Sequence, residues 1–334
     1  MKPKYKVAII EGKWATLMPE GPLVEQRVLG PDVEISHYGI IRPENYKTAL
    51  SDLDGVISRP GAPFCQEMIS VMRKIKVIVS LGVGYEQIDL ESAAKKRIPV
   101  CNIQDYATQE VAESTIAMLL SHQRKIVSFH YLSQWDWKTF EPIKRSDHLK
   151  VGIVGLGKIG TAVVKRLKPF GYEISFYDPY IAEAKGENLG LRRFLNFEEL
   201  VKNSDIVSFH CPQTKETTAI IDERFFDLVR DSAIVLNTAR GGLFKNADII
   251  YEALKKKPRL RIGSDTWPTE PPPDHPLLLA LKNREPWLSD RLLLSPHASF
   301  YSEQALYNLR YISADIVRTV LNGEKPYNVI NGAG

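Results

Sequence analysis

The stretch Lys150-Val151-Gly152-Ile153-Val154-Gly155-Leu156-Gly157-Lys158-Ile159-Gly160 decides the fold. Its apolar first half predicts a buried parallel strand, and the glycines lead directly into Thr161–Leu167, where an apolar pattern predicts the start of a helix. Gly155 permits the tight turn, Gly157 lets the backbone approach a pyrophosphate, and Gly160 lets the helix pack close to the strand. Phosphates would lie at the helix N-terminus, where unpaired N–H groups and the helix dipole favour negative charge.

The second half of a dinucleotide-binding motif follows at the expected distance. Ile174–Tyr177 is predicted to be the next strand, and it ends at Asp178, eighteen positions after Gly160. A dinucleotide-binding fold places there the acid that bonds the adenosine ribose hydroxyls. Because a carboxylate repels a 2′-phosphate, the sequence favours NAD over NADP. An ordinary turn at Asp178-Pro179 is the alternative, and the preceding glycine loop argues against it.

Composition and charge exclude several classes of protein. The 334 residues are 25% charged and 44% hydrophobic, which is ordinary for a globular chain and argues against disorder. The formal net charge is only +4, and Lys and Arg are scattered apart from short runs such as Lys255-Lys256-Lys257. A nucleic-acid surface would show a concentrated basic face on a known module, so no nucleic-acid partner is expected.

Cysteine usage and hydropathy bear on the compartment. Cys65, Cys101 and Cys211 are odd in number and widely spaced, so the sequence predicts neither a disulfide framework nor a metal site. The apolar run Val7–Ile10 is too short for a signal peptide, and no stretch approaches the length of a membrane span. The expectation is therefore a cytoplasmic protein without a membrane partner.

The first hundred residues alternate short apolar segments with helical patterns, which predicts βαβ units and a parallel sheet. This half has its own glycine turn, Ser80–Tyr85, which follows a predicted strand but lacks a third glycine at the right spacing. Exposed N–H groups in such a turn can bind a carboxylate instead of a pyrophosphate. The predicted strands are Lys6–Ile10, Val33–Tyr38, Gly55–Ser58, Lys76–Leu81 and Ile98–Asn102.

A second doubly wound sheet is predicted after residue 105. A long helix, Tyr106–Gln123, leads out of the first domain, and a terminal helix, Ser302–Leu321, returns to it. We therefore expect a discontinuous substrate domain (1–104 and 302–334) around an NAD-binding domain (105–301). Six strands are predicted in the second sheet: Lys150–Val154, Ile174–Tyr177, Ile206–His210, Ala233–Thr238, Arg261–Asp265 and Leu292–Ser295.

Polar residues follow three of these strands, where a parallel sheet holds its ligand. They include Arg240, Glu270 and His297. A cation can hold a keto acid's carboxylate and polarise its carbonyl, and an imidazolium can protonate the carbonyl oxygen as hydride arrives at carbon. A carboxylate bonded to the histidine would orient the ring and raise its pKa. Each residue alone also has an ordinary structural explanation.

Matching stretches run nearly from end to end, and with them the chain resembles the D-isomer-specific 2-hydroxyacid dehydrogenase family, most closely its C-terminal-binding-protein branch. They are Gly82–Tyr85, Glu113–Thr115, Gly155–Gly160, Phe176–Tyr180, His210–Pro212, Asn237–Gly242, Glu270-Pro271, Pro296–Ala298 and Tyr301–Ala305. The resemblance implies a Rossmann NAD domain inserted into a flavodoxin-like substrate domain, both α/β with doubly wound parallel sheets.

The resemblance also implies roles for particular residues. Arg240 would bind and polarise a 2-keto acid, His297 would be the acid/base, and Glu270 would tune His297. The backbone at Val83 and Gly84 would hold the substrate carboxylate. Glu270 stands where formate-dehydrogenase relatives carry glutamine, which argues against formate as the substrate. The implied NAD contacts are Gly155, Gly157, Lys158, Ile159, Gly160, Asp178, Thr115, Cys211, Pro212, Thr217, Thr238, Ala239 and Asp265, with Asp265 near the carboxamide.

Departures from the branch affect the substrate more than the reaction. Ser80 stands where the branch has an arginine, two residues before the first glycine of the turn, and Arg59 is the candidate replacement for that arginine. Phe300 replaces a tryptophan beside the substrate, and Glu86-Gln87 replaces Asp-Asn. By comparison with the family that the chain resembles, the segment Lys282–Arg291 is expected to be a few residues longer.

The sequence thus predicts an NAD-dependent enzyme that interconverts a small 2-keto acid and the D-(R)-2-hydroxy acid. The resemblance also implies a homodimer joined through the NAD-binding domains, to which the Trp135–Trp137 arm would contribute. An NAD(H)-sensing, corepressor-like binding protein is the alternative. The substrate's side chain and the physiological direction stay open, since Arg59 and Lys138 favour a second anionic group whereas Tyr85, Tyr106 and Phe300 favour an aromatic or apolar one.

Overall fold

The structure, a computed structural model, describes residues 4–12, 21–131, 136–139, 141–288 and 290–333. The chain divides into two compact units. The interrupted unit comprises residues 1–106 and 302–334, and the inserted unit comprises residues 107–301. The first boundary lies two residues beyond the predicted position at 104.

Twelve strands occur among the described residues. They are β1 Tyr5–Ile10, β2 Val33–Tyr38, β3 Gly55–Ser58, β4 Val77–Ser80, β5 Val100–Asn102, β6 Lys150–Val154, β7 Glu173–Tyr177, β8 Arg192–Arg193, β9 Ile206–Phe209, β10 Ile234–Asn237, β11 Arg261–Ser264 and β12 Leu292–Leu294.

The same parts of the chain contain thirteen α-helices. They are α1 Leu23–Leu29, α2 Tyr46–Leu50, α3 Gln66–Val71, α4 Leu90–Lys95, α5 Thr108–Gln123, α6 Ile126–His130, α7 Lys158–Leu167, α8 Glu183–Asn188, α9 Phe197–Lys202, α10 Glu223–Leu228, α11 Ala247–Lys256, α12 Pro276–Lys282 and α13 Glu303–Leu321. Short 3-10 turns lie at Pro43–Asn45, Trp137–Thr139, Ser146–His148, Lys168–Phe170 and Gly241–Leu243. No helix in the described ranges has the length and hydropathy needed to cross a bilayer.

The interrupted unit is built on a five-stranded parallel sheet of order β2-β1-β3-β4-β5. This is the flavodoxin-like order that the fold prediction requires. β3 and β4 are buried at every residue, which explains their continuous apolar sequences. Because the strands are all parallel, the carboxyl ends of β1, β3, β4 and β5 lie along one edge of the sheet.

The inserted unit is built on a seven-stranded parallel sheet of order β12-β11-β10-β9-β6-β7-β8. The strand order reverses between β6 and β9, and a doubly wound sheet binds its ligand at such a point. The predicted fold class is confirmed, with one correction to the strand count. β8 was not among the six predicted strands, because its two residues, Arg192 and Arg193, carry no apolar run.

The segment Lys282–Arg291 closes on a buried arginine. The Arg291 guanidinium donates to the carbonyl oxygens of Leu254 and Lys257, the latter at 2.6 Å, and to that of Leu260 at 3.1 Å. Two of these carbonyls lie at the C-terminal end of α11, where helical carbonyls lack intrahelical partners. Arg291 therefore fixes the start of β12 to the end of α11.

The returning helix α13 packs on α1, β3 and β4 within the interrupted unit. Ser302 caps it by accepting the N–H of Ala305 at 2.9 Å. Arg310 forms a buried bidentate salt bridge with Glu25 on α1. Nε of Arg310 lies 3.0 Å from Oε1 of Glu25, and Nη2 lies 2.7 Å from Oε2. The two residues are 5% and 2% exposed. This ion pair ties the two separate segments of the unit together.

We expect Glu25→Gln to destabilise the interrupted unit by about 3 kcal/mol, because the buried Arg310 guanidinium would lose its counter-charge. The measurement is urea unfolding of the full chain, where the midpoint should fall. Glu91→Gln, which removes the exposed pair with Lys95, is the control and should leave the midpoint unchanged. Equal midpoints for Glu25→Gln and the wild type would show that the buried pair does not hold the unit together.

Candidate active site

The glycine loop between β6 and α7 has the geometry of a phosphate-binding turn. Gly155 has a φ of +90°, and a Cβ there would lie 2.7 Å from the backbone nitrogen of Cys211. A Cβ on Gly160 would lie 2.2 Å from the carbonyl oxygen of Gly155. At Gly157, by contrast, a Cβ would meet no atom within 4 Å. The loop is thus closely packed at its two ends and open at Gly157, so it fits a pyrophosphate at the N-terminus of α7.

Asp178 lies directly after β7 and is bonded to the glycine loop. Its Oδ2 accepts the N–H of Leu156 at 2.9 Å, and its Oδ1 accepts the N–H of Tyr180 at 3.0 Å. A carboxylate oxygen can accept two hydrogen bonds, so both keep capacity for ribose hydroxyls. Lys158 and Ile159 form the first turn of α7 beside the loop.

Further predicted cofactor residues follow β9 and β10 in the chain, and Thr115 lies on α5. The hydroxyls of Thr115 and Thr238 are 2.8 Å apart and buried. Thr217 donates to the carbonyl of Pro212 at 2.6 Å. Burial raises the pKa of the Cys211 thiol to about 11, so this cysteine stays neutral near pH 7. Ala239 belongs to the same region as Thr238, directly after β10.

His297 and Glu270 form a direct hydrogen-bonded pair in the inserted unit. Nδ1 of His297 lies 2.7 Å from Oε2 of Glu270, and Oε1 of Glu270 accepts the N–H of Trp267 at 2.9 Å. The His297 side chain is 43% exposed, against 23% for Glu270. The carboxylate therefore orients the ring through Nδ1, so that Nε2 is the ring nitrogen that does not face Glu270.

The two pKa shifts within this pair agree in direction. The hydrogen bond with Glu270 raises the pKa of His297, the charges of Glu270 and Asp265 add to it, and burial and the charge of Arg240 oppose it. Burial acts to raise the pKa of Glu270, but the hydrogen bond and charge of His297, the Trp267 N–H and the charge of Arg240 together lower it. The pair thus favours an imidazolium beside a carboxylate.

Arg240 follows β10 and is close enough to influence both members of this pair electrostatically. Its backbone is extended, with φ −141° and ψ 139°, and its carbonyl accepts from Nδ2 of Asn237 at 2.9 Å. The fully buried Asn237 also accepts the N–H of Ala239 at 3.1 Å. Asn237 is the first residue of a stretch that matches the family, but no role was predicted for it from the sequence. The structure shows that its side chain shapes the loop that carries Arg240.

Asp265 has a structural task that sequence reasoning missed. Its carboxylate accepts the hydroxyl of Ser295 and the N–H groups of Ala298 and Ser299, at 2.8 and 3.0 Å for the latter two. Its carbonyl accepts the N–H of His297 at 2.8 Å. Asp265 therefore holds the loop in which His297 takes a φ of +54°. The sequence signal that could have indicated this contact is an acid, Asp265, and a serine, Ser295, that directly follow two neighbouring strands.

Predicted substrate residues of the interrupted unit lie after β3 and β4. The Arg59 guanidinium is bonded to Glu11, and Arg59 as a whole is 6% exposed. The turn that contains Val83 and Gly84 follows β4, and Val83 is 43% exposed. In the inserted unit, Phe300 lies three residues after His297, with its ring centroid 6.3 Å from that of Tyr301.

Two further predictions concern the tryptophan arm and the expected lack of a metal site. Trp135 lies outside the described residues, whereas Trp137 is described and 70% exposed. Within the described ranges, no group of three or more His, Cys, Asp or Glu side chains could hold a metal ion.

A doubly wound sheet with a glycine loop, a strand-end aspartate and a His–Glu pair defines a dinucleotide-dependent class of protein. Residues 116–299 match the family model described as D-isomer specific 2-hydroxyacid dehydrogenase, NAD binding domain. The chain belongs to the D-isomer specific 2-hydroxyacid dehydrogenase family, and its inserted unit is an NAD-binding domain. The predicted family is confirmed, while the closer likeness to the C-terminal-binding-protein branch stays a prediction.

Individual relatives agree with this assignment. A D-3-phosphoglycerate dehydrogenase of Methanocaldococcus jannaschii is 35% identical over 84% of this chain and 52% of its own length. A glyoxylate reductase of Korarchaeum cryptofilum is 32% identical over 84% of each chain. The crystal structure of a Thermus thermophilus protein has a TM-score of 0.80 at 26% identity and covers 97% of this chain and 99% of its own. The chain spans about half the length of the phosphoglycerate dehydrogenases that it matches.

We expect Gly157→Ala to fold normally but to bind NADH about tenfold or more weakly, because the new methyl group would occupy the space open to the pyrophosphate. The φ of Gly157 is −70°, which alanine adopts without strain. Titration of NADH by fluorescence gives the affinity, and thermal melting without nucleotide checks the fold. Gly39→Ala, another glycine whose Cβ would meet nothing, is the control. Unchanged NADH affinity in Gly157→Ala would place the phosphates elsewhere.

We expect Glu270→Gln to lower the pKa of His297, because the hydrogen bond to a charged carboxylate is lost while burial and the charge of Arg240 remain. The fraction of imidazolium at neutral pH should therefore fall. An NMR pH titration of the His297 ring measures this directly. Glu285→Gln, which removes a carboxylate bonded to Trp287, is the control and should leave the His297 titration unchanged. The same titration in Glu270→Gln and the wild type would contradict the assignment of Glu270.

Proposed function

We propose that this protein is an NAD-dependent oxidoreductase that interconverts a small 2-keto acid and the corresponding D-(R)-2-hydroxy acid. The observation that carries the proposal is the hydrogen-bonded His297–Glu270 pair, under the charge of Arg240, in the same unit as the glycine loop. Family membership supports this reaction class. The NAD preference over NADP rests on Asp178 after β7.

In the proposed reaction, NADH supplies the hydride. The imidazolium of His297 donates its proton to the carbonyl oxygen of the keto acid as that oxygen gains charge. Glu270 keeps the ring oriented and favours its protonated form before the transfer. The Arg240 guanidinium holds the substrate carboxylate and polarises the carbonyl. In the oxidative direction, neutral His297 takes the proton from the hydroxyl.

Further substrate contacts belong to the proposal. The N–H groups of Val83 and Gly84 hold the substrate carboxylate, and Arg59 stays a candidate for an additional contact. Phe300 lies beside the substrate side chain. The relative named glyoxylate reductase makes short, unbranched keto acids the first substrates to test.

A homodimer and a cytoplasmic location complete the proposal. The exposed Trp137 supports the first, because an indole that is 70% exposed is the kind of group that interfaces cover. Cysteine usage supports the second, since Cys65, Cys101 and Cys211 are free thiols.

The test is NADH oxidation by the purified chain with glyoxylate, pyruvate, hydroxypyruvate, phenylpyruvate and oxaloacetate, with NADPH in parallel. We expect turnover on at least one keto acid, faster with NADH. His297→Ala should lower turnover by about 10²- to 10⁴-fold while NADH still binds, because it removes the general acid. The control His148→Ala replaces an exposed histidine of the same unit and should keep full activity.

Two outcomes would contradict this proposal. Undiminished turnover in His297→Ala would remove the acid/base assignment. Silence of the wild type across all these acids, with tight NADH binding, would instead favour the corepressor-like, NAD(H)-sensing protein.

A further inference from the structure

The turn after β4 has three consecutive carbonyl groups that each accept a hydrogen bond. The carbonyl of Gly82 accepts the N–H of Ile103 at 2.8 Å. The carbonyl of Val83 accepts from Nδ2 of Asn102 at 2.8 Å, and that of Gly84 accepts the hydroxyl of Ser80 at 2.7 Å. Three successive peptide planes are therefore held by the protein itself.

All three donors come from the ends of two neighbouring strands. Ser80 on β4 and Asn102 on β5 are paired residues in the sheet, and Ile103 follows Asn102. The three carbonyls thus point toward the edge of the sheet formed by the carboxyl ends of β4 and β5. Because a trans peptide is planar, with its N–H opposite its C=O, the next N–H in each plane points away from the edge. These are the N–H groups of Val83, Gly84 and Tyr85.

Those three N–H groups have no acceptor among the described residues. Val83 and Tyr85 are 43% and 38% exposed, and Gly84 is half-buried. Consecutive N–H groups that face the same way form a concavity that binds anions. The turn therefore offers three neutral donors to one anion.

Ser80 and Gln87 together fix the third of these planes. Nε2 of Gln87 donates to the Ser80 hydroxyl oxygen at 2.9 Å. Because an amide nitrogen only donates, the hydroxyl proton of Ser80 is directed to the carbonyl of Gly84. Ser80 is 1% exposed, so this relay is shielded from water. Ser80 and Gln87 both stand at positions where the sequence departs from the pattern of the C-terminal-binding-protein branch.

We propose that the N–H of Tyr85 is a third donor to the substrate carboxylate, and that Ser80 and Gln87 are positioning residues that aim it. The contact that an arginine would supply at position 80 is then made by the turn itself. Arg59 is not required for it, since its guanidinium is already bonded to Glu11. The inference rests on the proposed function, because the anion is taken to be the carboxylate of a 2-keto acid.

The direct test is a TROSY NMR titration of the deuterated, ¹⁵N-labelled full chain, saturated with NADH, with oxamate as the probe. Oxamate carries a 2-keto acid's carboxylate but is not reduced, so the readout does not depend on turnover. We expect the amide protons of Val83, Gly84 and Tyr85 all to shift downfield. A stationary Tyr85 amide while the other two shift would overturn the third donor, and three stationary amides would overturn the site.

Kinetics of variants test the relay separately. Ser80→Ala should raise KM for the keto acid about tenfold with kcat nearly unchanged, because an aligned donor is lost from binding. Ser80→Thr keeps the hydroxyl and should restore KM. Gln87→Leu should raise KM less, and Ser80→Ala with Gln87→Leu should be no worse than Ser80→Ala alone, since both act through one hydroxyl.

Ser58→Ala is the matched control. Ser58 is the sheet partner of Ser80 on β3, is fully buried, and donates to the carbonyl of Ala62 at 3.5 Å. KM should stay at the wild-type value. An unchanged KM in Ser80→Ala, or an equal rise in Ser58→Ala, would overturn the relay. An inactive wild type would contradict the proposed function alone, because the oxamate titration still decides whether the turn binds a carboxylate.

Discussion

Every strand in both sheets is parallel to its neighbours, and this constraint places the chemistry of the molecule. Parallel strands bring all their carboxyl ends to one edge, so residues far apart in sequence become neighbours when each follows a strand. In the inserted unit this applies to the glycine loop and to the residues after each following strand. They are Asp178 after β7, Cys211 after β9, Arg240 after β10, Asp265 after β11 and His297 after β12.

The same constraint explains how far the sequence could predict the site. The glycine spacing and the polar residue after each apolar run could be recognised in one dimension, and the sheet converts that order into proximity. The order places His297 and Glu270 near each other, and the resemblance to the family added the expectation of a hydrogen bond between them. The seventh strand was missed because two arginines at a sheet edge carry no periodicity.

Roles that depend on side-chain direction could not be predicted in this way. Asp265 was expected near the cofactor carboxamide, and the structure shows that its carboxylate also holds the backbone at Ala298 and Ser299. Ser80 was noted as the loss of an arginine, whereas the structure shows its hydroxyl bonded to Gly84 and Gln87. A serine and a glutamine seven positions apart give no sequence signal of contact, because the turn between them is irregular.

The arginine that closes the segment Lys282–Arg291 has a consequence for changes of length in the preceding loop. Its guanidinium is anchored to backbone carbonyls of α11 and the residues after it, and also to the carbonyl of Trp287 in the preceding loop, so it joins the start of β12 and the last residues of that loop to the end of α11. A change of length between the end of α12 and Trp287 would then leave the start of β12 in place, because the carbonyls that hold Arg291 lie outside that stretch. The loop that carries His297 is in this way mechanically separated from the residues that directly follow α12.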